Sequence, residues 1–278
     1  MQVDRHETET SQWEVARRPP SAALRPYLLA APEGWEQTRG REAQLREVPF
    51  PGVPLILGFG SAWEVQEPSG RTDKHSSFVA GIHAAPALVR GAATWGCIEV
   101  RLTPLGAHRL LGVPMHELAN RTIALAGVLP ETRELDEQLH DAGSWEERFD
   151  VVERLLLRRL VDSTPPSPGV DWSWEHLRRT NGRARISHLA EELGWSHRRL
   201  IARFREQIGV TPKVLARVIR FDRAVAALRA TKTAELAEIA FDCGYFDQAH
   251  LNREFRELAG TTPASFRAAQ SESGAVAA

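Results

Sequence analysis

The chain has 278 residues, with 35 Lys and Arg against 36 Asp and Glu and a hydrophobic fraction of 42%. That is long enough for two domains, and the composition excludes collagenous, disulfide-rich and disordered classes. The near-zero net charge averages two unlike parts: residues 176–270 hold 17 Lys and Arg against 10 Asp and Glu, and the rest holds 18 against 26. A basic C-terminal part beside an acidic N-terminal one suits a nucleic-acid reader joined to a module of another kind. A solvated surface can carry the same excess, so charge alone does not decide. Cys97 and Cys243 are far apart and have no partner motif, which indicates neither a disulfide framework nor a zinc site. No apolar run approaches the roughly 18 residues of a membrane span. Asp4, Glu7, Glu9 and Glu14 are unlike a signal peptide. The expectation is a cytoplasmic protein without a membrane partner.

Residues 1–20 are polar and are expected to be frayed up to Pro19-Pro20. From about 24 to 125, short apolar runs are broken by Gly and Pro: Val53–Phe59, Trp63–Val65, Ser77–Ile82, Ala87–Val89 and Cys97–Leu102. Such lengths and punctuation favour strands. Ile98-Glu99-Val100-Arg101-Leu102 alternates, so one face should be buried and the other wet. Several such strands predict a small barrel or sandwich. Pro104–Leu111 and Pro114–Ala119 read as short helices with proline in the first turn.

From Glu131 to Leu160 the period becomes helical. Leu135 and Leu139 are one turn apart, and Phe149, Val152, Leu155, Leu156 and Leu160 follow at helical spacing. Ser144 with Glu147 forms a capping box. This helix pair either covers the sheet or pairs with another protomer. Asp162–Gly169, rich in Pro and Ser, reads as the start of a linker over 162–172. The domains are therefore expected at 1–161 and 173–270. Trp172 and Trp174 are core anchors of the second domain.

That second domain contains the same unit twice. Ile186, Leu189, Ala190, Leu193, Gly194, Leu200, Phe204, Gly209, Thr211 and Pro212 recur as Leu236, Ile239, Ala240, Cys243, Gly244, Leu251, Phe255, Gly260, Thr262 and Pro263. The offset is 50 residues up to the glycine and 51 after it, so the second turn holds one extra residue. Each copy reads as a short apolar helix, a glycine turn and a basic helix, the pattern of a helix-turn-helix. In the first copy Ser196 caps a helix over 197–207, with Leu200 and Phe204 inward. That leaves His197, Arg198, Ile201, Ala202 and Arg205 outward. In the second, Asp247 is the cap, and Gln248, Ala249, Asn252, Arg253 and Arg256 face out. Gln and Asn can pair with adenine and Arg with guanine in a major groove. Lys213–Arg229 reads as a long helix holding the two readers apart, suited to successive groove faces about 34 Å apart. Lys213, Arg205 and Arg256 are expected on phosphates.

The stretches LAEELGWSHRRLIARFREQIGVTPKVLARVIR and LAEIAFDCGYFDQAHLNREFRELAGTTPASFR resemble the DNA-binding domain of AraC/XylS transcription regulators, over about 95 residues. The signature is carried by Ala240, Gly244, Tyr245, Leu251, Phe255, Gly260, Thr262 and Pro263. The resemblance implies two readers in one protomer. Their base-facing positions would be Arg198, Ile201 and Ala202, then Gln248, Ala249 and Arg253. Ile201 and Ala202 depart from the hydrogen-bonding residues common there, which leaves Arg198 to carry most of the first reader's specificity. The stretch SSFVAGIHAAP with CIEVRLTPLGAHRLLGVPMHEL resembles the cupin-like N-terminal domain of one AraC-type subgroup. That implies sensing of a small molecule or dimerisation.

The expected fold class is thus α+β: a β-rich, cupin-like barrel or sandwich with flanking helices, then an all-α domain with two helix-turn-helix units. The expected function is a sequence-specific DNA-binding transcription regulator, not an enzyme. It needs no cofactor, binds double-stranded DNA as a homodimer, answers to a small-molecule effector, and has RNA polymerase as a further candidate partner. Phe59, Trp63 and Trp95, with Phe50, either are core or line an effector pocket with Arg101 as its charged partner. The competing class is a metal- or thiol-dependent activity fused to the DNA-binding half. It would use His75, His83, Glu99 and His108 as ligands or Cys97 as a thiol.

Overall fold

The computed structural model describes residues 1–231 and 234–272. The N-terminal half runs β1 (Gln2–Glu7), β2 (Gln12–Arg17), β3 (Glu33–Arg39), β4 (Ala43–Glu47), β5 (Val53–Gly58), β6 (Trp63–Gln66), β7 (Thr72–His75), β8 (Phe78–Ala80), β9 (Ala87–Gly91), β10 (Trp95–Leu102), α1 (Pro104–Leu111), β11 (Thr122–Ala124), α2 (Leu125–Val128), α3 (Leu135–Asp141) and α4 (Trp145–Val161). The rest is helical: α5 (Pro168–Arg179), α6 (Ile186–Glu192), α7 (His197–Gln207), α8 (Pro212–Ala230), α9 (Leu236–Asp242), α10 (Gln248–Ala259) and α11 (Pro263–Glu272). The mixed class expected from the sequence is the one observed. Pro114–Ala119 forms only a 3-10 turn over Met115–Glu117.

The strands make two antiparallel sheets, ordered β1-β2-β3-β10-β5-β8-β11 and β4-β9-β6-β7. Strand β10 sits at the centre of the larger sheet, with Cys97 opposite Trp35 of β3 and Gly58 of β5. Its residues alternate between two environments. Ile98, Val100 and Leu102 are buried in the core that the sheet shares with α1 and α4. Trp95, Cys97, Glu99 and Arg101 face the space between the two sheets. The face expected to be wet is therefore an internal cavity wall.

The expectation that residues 1–20 are frayed is wrong. β1 and β2 form a hairpin in full register, Gln2 opposite Arg17, at the edge of the larger sheet. Ion pairs Arg5–Glu14, Arg17–Asp4 and Arg17–Glu33 cross the strands, and His6 stacks on Trp13 at 5.0 Å. Cross-strand charge pairs can hold a strand that has little apolar pattern. Val15 and Ala16 supply the few buried contacts.

The helix pair after Glu131 covers its own sheet. Phe149, Val152, Leu155 and Leu156 of α4 are buried with Leu55, Val100 and Leu110. Ser144 accepts from the Glu147 amide, while the Glu147 carboxylate reaches back to the Gly143 amide, a capping box displaced by one residue. Helix resumes at Pro168, inside the expected linker, because a proline in the first turn loses no helical hydrogen bond. Trp174 is buried and Trp172 half-buried.

Gly34 of β3 lies under the Trp145 ring, where an added Cβ would sit 2.2 Å from a ring carbon. Trp145 is wedged against Phe59 and donates to Glu14, so it cannot yield without moving α4. Gly34→Ala should cost about 1–3 kcal/mol by overpacking. Gly127→Ala, whose methyl meets Ile123 at an ordinary 3.6 Å, should cost far less. Thermal unfolding of both variants checks this.

Candidate nucleic-acid interface and enclosed cavity

The two helix-turn-helix copies are α6–α7 and α9–α10. Each turn uses a glycine with positive φ, Gly194 at 60° and Gly244 at 82°. Ser196 and Asp247 cap the second helices by accepting from the amides of Arg199 and His250. The extra residue of the second turn is Phe246, between Tyr245 and the cap, and it is 91% exposed.

Leu200 and Phe204, and Leu251 and Phe255, are fully buried. Opposite them, His197, Arg198, Ala202 and Arg205 are exposed and Ile201 is half-buried. On α10, Gln248, Ala249, Arg253 and Arg256 are exposed and Asn252 is half-buried. Lys213 is exposed at the start of α8. Within the described residues, the side chains of Arg198, Arg205, Lys213, Gln248, Arg253 and Arg256 make no hydrogen bond or ion pair with the rest of the chain. Neighbouring arginines are already engaged: Arg199 lies over the Trp195 ring at 4.7 Å and Arg203 pairs with Glu206. On the outward sides of both helices, unengaged donors thus alternate with the apolar Ile201, Ala202 and Ala249.

A cationic cluster between the two copies was not foreseen. Glu254 of α10 is buried on the inward stripe with Leu251, Phe255 and Leu258. It accepts from Arg217 Nε at 2.9 Å, and Arg220 and His250 lie at 3.4 and 3.5 Å. Arg217 also pairs with Glu257. Arg183 donates to the carbonyls of Phe241 and Asp242 at the end of α9. These contacts tie α8 and the α5–α6 loop to the second copy, fixing its angle to the first. The one legible sign was a carboxylate on an apolar stripe.

The N-terminal half touches both copies. Gly209, just past α7, lies against the Met115 carbonyl. Arg46 of β4 donates to the Ala259 carbonyl at the C-terminus of α10, where a cation suits the helix dipole. Between the halves lies a cavity of about 210 Å³. Trp35, Trp63, Trp95 and Phe78 wall its inner end, and Glu47, Glu99, Arg101, Asp222 and Arg229 its mouth. Of the expected ligand contacts, Trp63, Trp95 and Arg101 line it and Phe59 does not. Phe59 is core, edge-on to Trp145 and under the Arg148 guanidinium at 4.0 Å, because parity places it on the helical side of the sheet.

The mouth concentrates charge. Arg101 grips Glu99 by two bonds of 3.0 and 3.2 Å and lies over the Phe50 ring at 5.7 Å. Burial, with Glu99 beside it, pushes the Glu47 carboxyl up to about 7. Burial also raises Asp222, and burial with Arg101 nearby lowers Arg229. Cys97 lines the inner end, where burial pushes its thiol up and away from the thiolate a reactive cysteine needs. No three His, Cys, Asp or Glu side chains converge on a metal-sized site among the described residues. His108 is on α1, on the helical side of the sheet, while Glu99 faces the cavity. None of the described helices is long and apolar enough to cross a membrane.

Residues 189–269 match the family model described as a helix-turn-helix domain, and residues 16–124 match a domain of unknown function, DUF6597. No curated protein matches the chain in sequence. Among solved structures, the C-terminal domain of AraT, a response regulator from Geobacillus stearothermophilus, is 23% identical with a TM-score of 0.36, over 38% of this chain and 88% of that one. ToxT from Vibrio cholerae is 8% identical with a TM-score of 0.46, over 94% of this chain and 98% of that one. A second ToxT structure, with an unsaturated fatty acid bound, is 10% identical with a TM-score of 0.46, over 95% and 97%.

Two measurements test this geometry. Glu254→Ala leaves Arg217 with Glu257 alone and Arg220 with the Gly182 carbonyl alone, and should cost about 2 kcal/mol through the lost charge-assisted bonds; chemical denaturation reads it. Glu47 holds its proton more tightly folded than unfolded. Its contribution therefore declines as pH rises from its ordinary 4.5 towards 7 and is flat above that. Glu47→Gln should remove that part of the slope in melting temperature against pH.

Proposed function

We propose that the chain is an AraC-type DNA-binding transcription regulator, which reads DNA through α7 and α10 of the segment matching the helix-turn-helix family model and is controlled by a small molecule held in the cavity. The observation that carries this reading is the position of α8. Its first turns sit beside the readers at Lys213 and Arg217, and its later turns supply Asp222, Val225 and Arg229 to the cavity mouth. A ligand that prefers one setting of α8 must shift the readers by the same free energy.

Affinity comes from phosphate neutralisation by Lys213, Arg205 and Arg256, and sequence preference from the outward rows of α7 and α10. Gln248 and Arg253 supply hydrogen-bonding readout in the second groove, with Asn252, half-buried, at its margin and Ala249 giving apolar contact. In the first, Arg198 carries hydrogen-bonding readout, while Ile201 and Ala202 can meet only a thymine methyl; His197 lies at the helix start. Paired half-sites suit a homodimer, RNA polymerase is the further partner in activation, and the protein acts in the cytoplasm without chemistry of its own. The domains on this reading are residues 1–161 and 173–270.

Selection of genomic fragments by the purified chain, followed across a salt series, tests the reading. The expected result is a motif with two segments one helical turn apart and a steep fall of affinity with salt. Broad binding without a motif would overturn it. Arg198→Ala should cost about 1–3 kcal/mol and relax preference at one or two positions of one segment only. Lys213→Ala should weaken all sequences alike and reduce the salt slope by about one.

A further inference from the structure

The polar groups at the cavity mouth are not matched. Glu99 is satisfied by the two bonds from Arg101. Glu47 lines the same space with its side chain exposed, and among the described residues it makes no hydrogen bond or ion pair. Asp222 and Arg229, two turns apart on α8, lean on each other electrostatically. With all five groups ionised, three carboxylates face two guanidiniums. The mouth is then one negative charge in excess, and Arg101 and Arg229 act on Glu47 only from beyond ion-pair distance.

The inner end adds a second, independent feature. Trp35, Trp63, Trp95 and Phe78 present aromatic walls around the same space, and Trp63 and Trp95 meet at 4.7 Å. Aromatic faces attract cations and stack on flat apolar groups. The Phe50 face at the mouth is already taken by Arg101, so the free faces are the inner ones. A dry cavity of about 150 Å³ admits benzene, so about 210 Å³ admits a two-ring aromatic.

From this arrangement we infer that the cavity takes a protonated aromatic amine, its rings between Trp35, Trp63 and Trp95 and its ammonium on Glu47. The inference rests on the effector reading above and names the ligand class for that site. An ammonium would give Glu47 the partner it lacks and cancel the excess negative charge. A carboxylate ligand would deepen that excess and meet Glu47 and Glu99 at close range. Binding requires Glu47 ionised, so a proton and the amine compete for it. The surrounding charges are Glu99, Arg101 and Arg229, with Asp222 beyond them.

The test is isothermal titration of the full chain with three probes sharing one ring system: tryptamine, tryptophol and indole-3-acetate. Tryptamine should bind at least tenfold tighter than tryptophol, and indole-3-acetate weakest. In Glu47→Gln the preference for tryptamine over tryptophol, measured within the variant, should fall to near one. If that variant does not fold, the wild-type chain still decides, because tryptamine affinity should weaken severalfold between about pH 8 and about pH 6 with proton release on binding. Tightest binding of indole-3-acetate, a preference unchanged by Glu47→Gln, affinity independent of pH, or no binding by any probe would each overturn the ligand class. Operator binding with and without tryptamine separates this from the effector reading. Tryptamine that binds as expected but leaves DNA affinity unchanged sinks effector control by this class and leaves the site's chemistry standing. DNA affinity that responds only to the anion does the reverse.

Discussion

Helix α8 has almost no free face, and the arrangement of the other parts depends on that. Leu215, Ala216, Val218 and Ile219 are buried in the core that contains the first helix-turn-helix and the sheet's helical layer. Phe221, Ala224, Val225 and Leu228 are buried in a second core with Ile239, Leu251 and Phe255. A helix apolar on most sides must be packed on most sides. Its 19 residues run about 28 Å at 1.5 Å per residue, enough to hold the two readers apart as one rigid spacer. What faces the barrel is the remaining strip at Asp222, Val225 and Arg229. The connector of the readers is therefore also the roof of the cavity.

The burial of charge at that roof is costly, and the protein offsets it unevenly. Around Glu254, Arg217 and Arg220 each have an acceptor, although Arg220 Nε stays unpaired among the described residues, and the cluster acts as a staple between α8 and α10. Around Glu47 the same kinds of group are present without pairing. Glu47 is exposed at the rim of the aromatic cavity and, among the described residues, has no close cation of its own. The two clusters are built from the same kinds of group, one closed by mutual hydrogen bonds and the other open to the cavity.

Much of the helical half could be read directly because its signals are local. Leu200 and Phe204 define an inward side four residues apart, and Ser196 and Asp247 announce helix starts through amides three residues on. The same holds for strands such as β10, whose alternation is intact. The hairpin at residues 2–17 was misread because its strands are held by charges on neighbouring strands rather than by an apolar pattern. Phe59, which the sequence left open between core and pocket wall, is core, because a one-residue change of parity moves a side chain to the other face of a sheet. Glu47, Asp222 and Arg229 were invisible as a group, since residues 47, 99, 101, 222 and 229 meet only after the two halves dock. Pairing at such separations is set by topology, which a linear pattern does not encode.

The two copies of the helix-turn-helix are alike in sequence but not in what anchors them. Leu189, Leu200, Phe204, Ile208 and Val210 of the first belong to the same continuous core as Leu55, Val100 and Met115 of the N-terminal half. The second has a core of its own around Phe255, tied back by Val48 and the Arg46 cap. Cooperative units follow cores rather than sequence repeats. The first reader thus shares a continuous core with the two-sheet half, while the second is built on a core of its own. A cut at the proline-rich segment before α5 would therefore part the first reader from residues of the core it shares and leave the second reader's own core whole.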